Sequence, residues 1–192
     1  MDNDLLRMRR SRYKVLPDET IEVSLNPSEI LVGAQIGIMR MTQNLKRGYK
    51  DYRGSRSDGT GWTKHIEGSM AEMAFAKFFD AYWSGNIGHH TDMPDVSVFE
   101  IRLRSEFWHD LPLHDHDTQD NQFIWLLSGN YGEYIIHGWT TIGAARKNAK
   151  AENFQKAHGK GRSADYLDKK YLRRPFEWFE LYGEEFGHTK TI

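Results

Sequence analysis

The stretch from Asp95 to Arg104 leaves the chain the fewest choices. From Val98 onward Phe99, Ile101 and Leu103 alternate with Glu100, Arg102 and Arg104. A period of two is the signature of a β-strand with one face in a core and the other polar. Asp95 enters just ahead of the polar face, behind Pro94. Two residues apart on one strand face, Glu100 and Arg102 are separated by about 6–7 Å along the backbone. That spacing lets a carboxylate and a guanidinium serve one ligand together, and it equally suits a solvated face carrying an ion pair.

The other elements assemble around this strand. Thr20–Leu25 alternates like a short strand, and Asn26-Pro27-Ser28-Glu29 is a strong helix start, with an N-cap, proline at the first position and an acid in the first turn. Leu31, Ala34, Ile38, Met41 and Leu45 recur at helical spacing and predict the buried face of that helix, with Gly48 as its C-cap. Residues 49–62 read as a glycine-rich loop without a phosphate-binding Gly-Lys-Ser/Thr. A second helix is predicted from about Ile66 to Tyr82, apolar almost all round except for Glu72. A carboxylate buried there must be protonated, paired or bound to a cation. Residues 83–94 read as a turn and a short strand region leading to Asp95, and Trp108–Gln122 as a polar loop. Phe123–Leu127 is apolar on both faces, the mark of a fully buried strand. Ser128–Glu133 is turn chemistry, Tyr134–Trp139 the next strand, and Ala144–Ala157 a predicted basic helix.

Charge is distributed unevenly behind a formal net of −1. Gly61–Trp139 carries four basic residues against twelve acids, and Thr140–Arg174 ten basic residues against three acids. Such a division suits a protein that holds cations in one place and a polyanion in another, or two solvated faces of opposite sign. With no cysteine, thiol catalysis, disulfides and zinc–thiolate sites are excluded. No apolar run reaches the length of a membrane span, and the N-terminus lacks a signal peptide's apolar segment, so a cytoplasmic protein with no membrane partner is expected. The organisation expected is a basic N-terminal arm over residues 1–19 and one domain over 20–192, with a core at about 62–150 and a C-terminal extension over 151–192. The aromatic and acidic residues of that extension would dock on the body, on a second subunit in a homodimer, or on a protein partner.

Gly68-Ser69-Met70-Ala71-Glu72, then Pro94-Asp95, then Glu100-Ile101-Arg102 resembles the motif series of the PD-(D/E)XK nuclease superfamily. Gly138-Trp139 is similar to a later feature of its small bacteriophage members. The resemblance spans about Ile66 to Asn148. It implies an α/β fold with a restriction-endonuclease-like core, a mixed central β-sheet flanked by helices, here with an extra N-terminal helix and the C-terminal extension. It also implies a Mg²⁺- or Mn²⁺-dependent endonuclease or exonuclease acting on DNA, with Asp95, Glu100 and the Ile101 carbonyl on one ion and Glu72 holding a second ion or its water. Arg102 occupies the family's lysine position, and a guanidinium clamps phosphate but does not serve as a base. The Asp95–Glu100 spacing is short and holds no glycine for a tight turn, which sets Asp95 off from the family's aspartate.

For the nucleic acid, Arg104, Arg146, Lys147, Lys150, Lys169 and Lys170, together with the arm at 7–14, are the expected phosphate contacts. Tyr166, Tyr171 and Trp178 are candidates to stack on bases. The alternative is a catalytically inactive protein of the same fold that binds nucleic acid or a host protein. A third reading places a transition metal at His109, His114 and His116 with Asp110, Asp115 and Asp117.

Overall fold

The structure, a computed structural model, describes residues 12–48, 60–87, 93–151 and 165–186. Most of the N-terminal arm and the stretch 152–164 lie outside the described residues. In chain order the elements are β1 (Lys14–Val15), β2 (Ile21–Ser24), α1 (Pro27–Lys46), α2 (Thr60–Phe79), β3 (Phe99–Arg104), β4 (Leu111–Leu113), β5 (Phe123–Asn130), β6 (Glu133–Thr141), α3 (Ile142–Asn148), β7 (Lys150–Ala151), β8 (Asp165–Leu167), a 3₁₀ turn (Lys169–Tyr171) and α4 (Pro175–Tyr182). The fold is mixed α/β. A five-stranded sheet in the order β1-β2-β6-β5-β3 is antiparallel except for the parallel pair β5 and β3, and a small sheet runs β4-β8-β7.

The sheet is covered on both faces. On one side α2, α4 and the inner faces of β3, β5 and β6 bury an aromatic core in which Phe75, Phe79, Phe99, Trp125 and Trp178 meet, with Phe79 and Phe99 rings 4.5 Å apart. On the other side Leu111, Leu113, Ile124, Leu126, Ile142 and Leu167 form a second core under the small sheet and α3. The strand β5 contributes to both, as an all-apolar run must. Trp178 is fully buried and therefore cannot stack on a base. Phe176, Trp178, Phe179 and Tyr182 of the extension dock on their own chain.

α1 begins as its sequence dictates. Asn26 accepts from the N–H groups of Ser28 and Glu29 while Glu29 reaches back to the Asn26 N–H, a complete capping box. Gly48, with φ 72°, stands just past its end. Its buried face is not the predicted one. Leu31, Ile38 and Leu45 are exposed, and Gly33 and Gly37 are buried against Met70 and the His65–Ile66 backbone of α2. A Cβ on Gly37 would stand 2.4 Å from Ile66 Cα, so two glycines let the helices touch backbone to backbone, and the larger residues turn outward. Ser69 seals the contact with a 2.7 Å bond from its hydroxyl to the Gly33 carbonyl.

Three further expectations are corrected. α2 begins at Thr60, so Thr60–Trp62 is helix rather than loop, and it ends at Phe79 because Asp80 turns left-handed, at φ 55°, with Ala81 N–H bonding back to Ala76. The basic helix stops at Asn148, because Lys150 and Ala151 pair instead with Tyr166 and Asp165 of β8. The polar stretch 108–122 contains β4, an edge strand where Pro112 costs no ladder bond.

Candidate functional site

β3 is the last strand of its sheet, so one row of its backbone groups faces outward. Asp95 covers that edge: its Oδ2 accepts from the Ile101 N–H at 2.8 Å. The turn that brings it there runs through Ser97 at φ 54°, closed by the paired backbone bonds of Val96 and Phe99. A serine thus takes the left-handed conformation that a glycine was expected to supply, and Asp95 sits in this turn rather than on a strand of its own.

Glu72 comes from α2 on the aromatic side and is buried. Arg40 of α1 grips it with both terminal nitrogens, at 2.5 and 2.8 Å, and donates its Nε to the Asn86 carbonyl at 2.7 Å. Trp83 adds an indole N–H at 3.0 Å. The buried carboxylate is therefore paired. Glu100 projects from the opposite face of β3 with Arg102, whose guanidinium bridges Glu100 (2.9 Å) and the buried Asp117 (2.6 Å). Asp117 is fixed in turn by the His114 N–H and by Arg146 on its carbonyl. Gln122 reaches the other oxygen of Glu100 at 3.4 Å.

Asp95 lies within electrostatic reach of both Glu72 and Glu100. Its burial, then Glu72, then Glu100 push its pKa up to about 7, against the pull of the Ile101 N–H and Arg102. Among the described residues Glu72 and Glu100 each have an arginine, and Asp95 makes no ion pair. Asp95 thus feels one carboxylate from α2, Glu72, and one from β3, Glu100. As they stand, no group of three or more histidine or carboxylate side chains among the described residues is set to hold a metal ion. The guanidiniums of Arg40 and Arg102 take up the lone pairs an ion would use. The donor set is nonetheless all carboxylate oxygen, the chemistry magnesium and manganese require. An open cleft of about 520 Å³ runs beside it, between Pro94, Val98, Gln119, Gln122 and Phe186.

The expected phosphate contacts fall into two groups. Arg104 lies with its guanidinium 5.5 Å from the Tyr166 ring, and Arg146 is engaged on Asp117. The Nε atoms of Arg102 and Arg104 are buried without a hydrogen-bond partner among the described residues. Lys169 and Lys170 sit on the 3₁₀ turn beside the exposed rings of Phe107 and Tyr171, at 5.7 and 5.1 Å, with Trp108 edge-on to Phe107. Lys147 is exposed on α3, and the Lys150 side chain lies outside the described residues.

Arg40, Trp83 and Gln122 were not read from the sequence as site residues, and Asp117 was read only as a member of the transition-metal set. Arg40 alone had a signal, a charge between Met39 and Met41 on an apolar helix. Of the proposed histidine site, the His114 and His116 rings stack at 5.2 Å, and Asp117 is committed to Arg102. A Ser128–His137 contact of 2.7 Å occurs where His137 bulges out of the β6 ladder. Burial and Lys169 push His137 down to about 4, and the hydroxyl is sealed from solvent, so the pair is structural and not nucleophilic. No helix among the described residues is long and apolar enough to cross a membrane.

No protein-family model matches this chain, and no curated protein or solved structure matches it.

Proposed function

We propose that the chain is a metal-dependent nuclease of the PD-(D/E)XK type, hydrolysing phosphodiester bonds in DNA with Glu72, Asp95, Glu100 and Arg102. One observation carries this reading: Asp95 sits between Glu72 and Glu100 closely enough for both to oppose its ionisation. Carboxylates crowded in this way are stabilised by a cation. Asp95, Glu100 and the Ile101 carbonyl would hold Mg²⁺ or Mn²⁺, which supplies water activation and charge neutralisation at phosphate. The chain's own contribution is then to position. Arg40 and Trp83 orient Glu72, and Asp117 and Glu100 aim Arg102, whose guanidinium would stabilise phosphate charge without acting as a base. Beyond the end of β3, Lys169 and Lys170 with Phe107, Trp108 and Tyr171 combine charge with stacking surface, the combination that suits single-stranded nucleic acid.

The test is nicking of supercoiled DNA with Mg²⁺ or Mn²⁺. Wild type should cut and Glu100→Ala should not; equal cutting by both ends the nuclease reading. The second reading, an inactive nuclease-fold protein that binds nucleic acid or a host protein, is favoured by the closed ion pairs Arg40–Glu72 and Arg102–Glu100. Calorimetry with Mn²⁺ separates the two: absence of binding, together with no cleavage by Arg102→Lys, selects the scaffold.

A further inference from the structure

We propose that α1 is the interface of a homodimer, two copies packing their α1 helices antiparallel about a two-fold axis at Ile38. The inference stands on residues outside the carboxylate site and does not depend on catalysis.

Because Gly33 and Gly37 draw the other side of α1 onto α2, the apolar residues spaced at seven face solvent: Leu31 is 69% exposed, Ile38 44% and Leu45 39%, flanked by Val32 and Met39. Between positions 30 and 45 every exposed residue of α1 is uncharged: Leu31, Val32, Gln35, Ile38, Met39 and Leu45. Leu31, Ile38 and Leu45, with the uncharged Gln35 and Thr42 between them, make a charge-free and largely apolar stripe along a helix of about 30 Å, a surface that a partner helix can cover.

The pattern itself identifies that cover. Leu31 and Leu45 lie equally far on either side of Ile38, so reversing the helix about Ile38 maps leucine onto leucine. This is the self-complementarity that an isologous two-fold contact demands. Charge sets the direction. Glu133 lies at the N-terminal end of α1, where Ser24 donates to it while Glu29 is taken up by Lys77, and Lys46 and Arg47 lie at its C-terminal end. An antiparallel pair brings the Glu133 end of each copy to the Lys46 end of the other and opposes the helix dipoles. A parallel pair would stack Lys46 and Arg47 on their own copies. The interface thus lies on α1 and not on the C-terminal extension, whose Phe176, Trp178, Phe179 and Tyr182 are spent in the core. Arg40 projects from the same helix toward Glu72, so a dimer would also fix the arm that clamps that carboxylate.

Sedimentation should give the mass of two chains for the full-length protein, and Ile38→Glu should give the mass of one with an unchanged circular dichroism spectrum. The absence of cysteine makes cross-linking unambiguous. Under mild oxidation Ile38→Cys should form a disulfide-linked dimer. Leu31→Cys alone should not, because its two copies would lie about 21 Å apart along the axis; mixed with Leu45→Cys it should. A wild-type chain that sediments as a monomer at every concentration, an Ile38→Glu variant that stays dimeric, or cross-linking of Leu31→Cys to itself would each overturn the proposal.

Discussion

Two buried glutamates of α2 meet opposite fates. Glu67 and Glu72 are five residues apart, about 7.5 Å along the axis and roughly 140° around it. Glu67 is satisfied by neutral donors: the Tyr134 hydroxyl at 2.7 Å and the Tyr131 N–H at 3.1 Å. Those donors belong to the β5–β6 hairpin, whose turn residues Tyr131 and Gly132 both have positive φ. Burial and the neighbouring Glu67 push the Tyr134 phenol up, so it stays protonated and keeps donating. Glu72 is instead held by a guanidinium and faces a second carboxylate, Asp95. One end of the helix therefore uses a carboxylate as a neutral-donor clamp on a turn. The other concentrates charge beyond what packing requires, and excess charge in a buried place is where binding chemistry is found.

The largest effect expected from this contrast is at Arg40. Arg40→Met leaves Glu72 buried without its cation and should cost about 3–5 kcal/mol of stability, whereas Arg40→Met with Glu72→Met should recover most of that loss. Urea unfolding of the three proteins measures both. A single variant that loses less than about 1 kcal/mol would mean that the pair is hydrated, as surface ion pairs are, and the contrast with Glu67 would collapse.

Next in size is Asp95. Its folded pKa of about 7 lies above the ~3.9 of an unfolded aspartate, so the folded chain holds the proton more tightly. The stability this supplies is complete below about pH 4 and lost as pH rises to about 7, beyond which an ionised Asp95 stands beside Glu72 and Glu100. Asp95→Asn keeps an acceptor for the Ile101 N–H and removes the repulsion. It should be more stable than wild type by about 2–4 kcal/mol at pH 8, with the difference vanishing near pH 4. Added Mn²⁺ should narrow the gap at pH 8 by stabilising wild type alone. A variant no more stable at pH 8 would show that the three carboxylates are not crowded.

Local pattern carried much of this into view. The alternation of β3, the N-cap at Asn26 and the doubly apolar β5 each follow from residues close in sequence, and each is present. The turn expected over Ser128–Glu133 narrows to Tyr131–Gly132, because Ser128–Asn130 continue β5 and Glu133 opens β6. What sequence hid depends on partners far along the chain. Glycine carries no hydropathy signal, so the face of α1 built on Gly33 and Gly37 was invisible, and its apolar outer stripe was read as the core face. Glu72, Asp95, Glu100 and Arg102 were chosen by motif, but the grips of Arg40 and Asp117 on them span 32 and 15 residues. The end of the basic helix was decided by pairing with β8 rather than by propensity. Ser97 shows the converse, a local conformation imposed by the Val96–Phe99 closure on a residue with no intrinsic call for it.

The smallest effect belongs to Glu67, and its size is what gives the contrast meaning. Glu67→Gln retains one acceptor oxygen for two donors, the Tyr134 hydroxyl and the Tyr131 N–H, and turns an amide NH₂ toward one of them. The cost should be about 1–2 kcal/mol, that of one charge-assisted hydrogen bond. Tyr134→Phe should cost a similar amount and, in the double variant, less than the sum, because both changes break the same bond. Neither substitution touches Asp95, so neither should alter the pH dependence of stability between pH 4 and 8 or the response to Mn²⁺. If Glu67→Gln flattened that pH dependence as Asp95→Asn does, the charge of the two ends would be one coupled system. Glu72 would then have no claim to a role that Glu67 lacks.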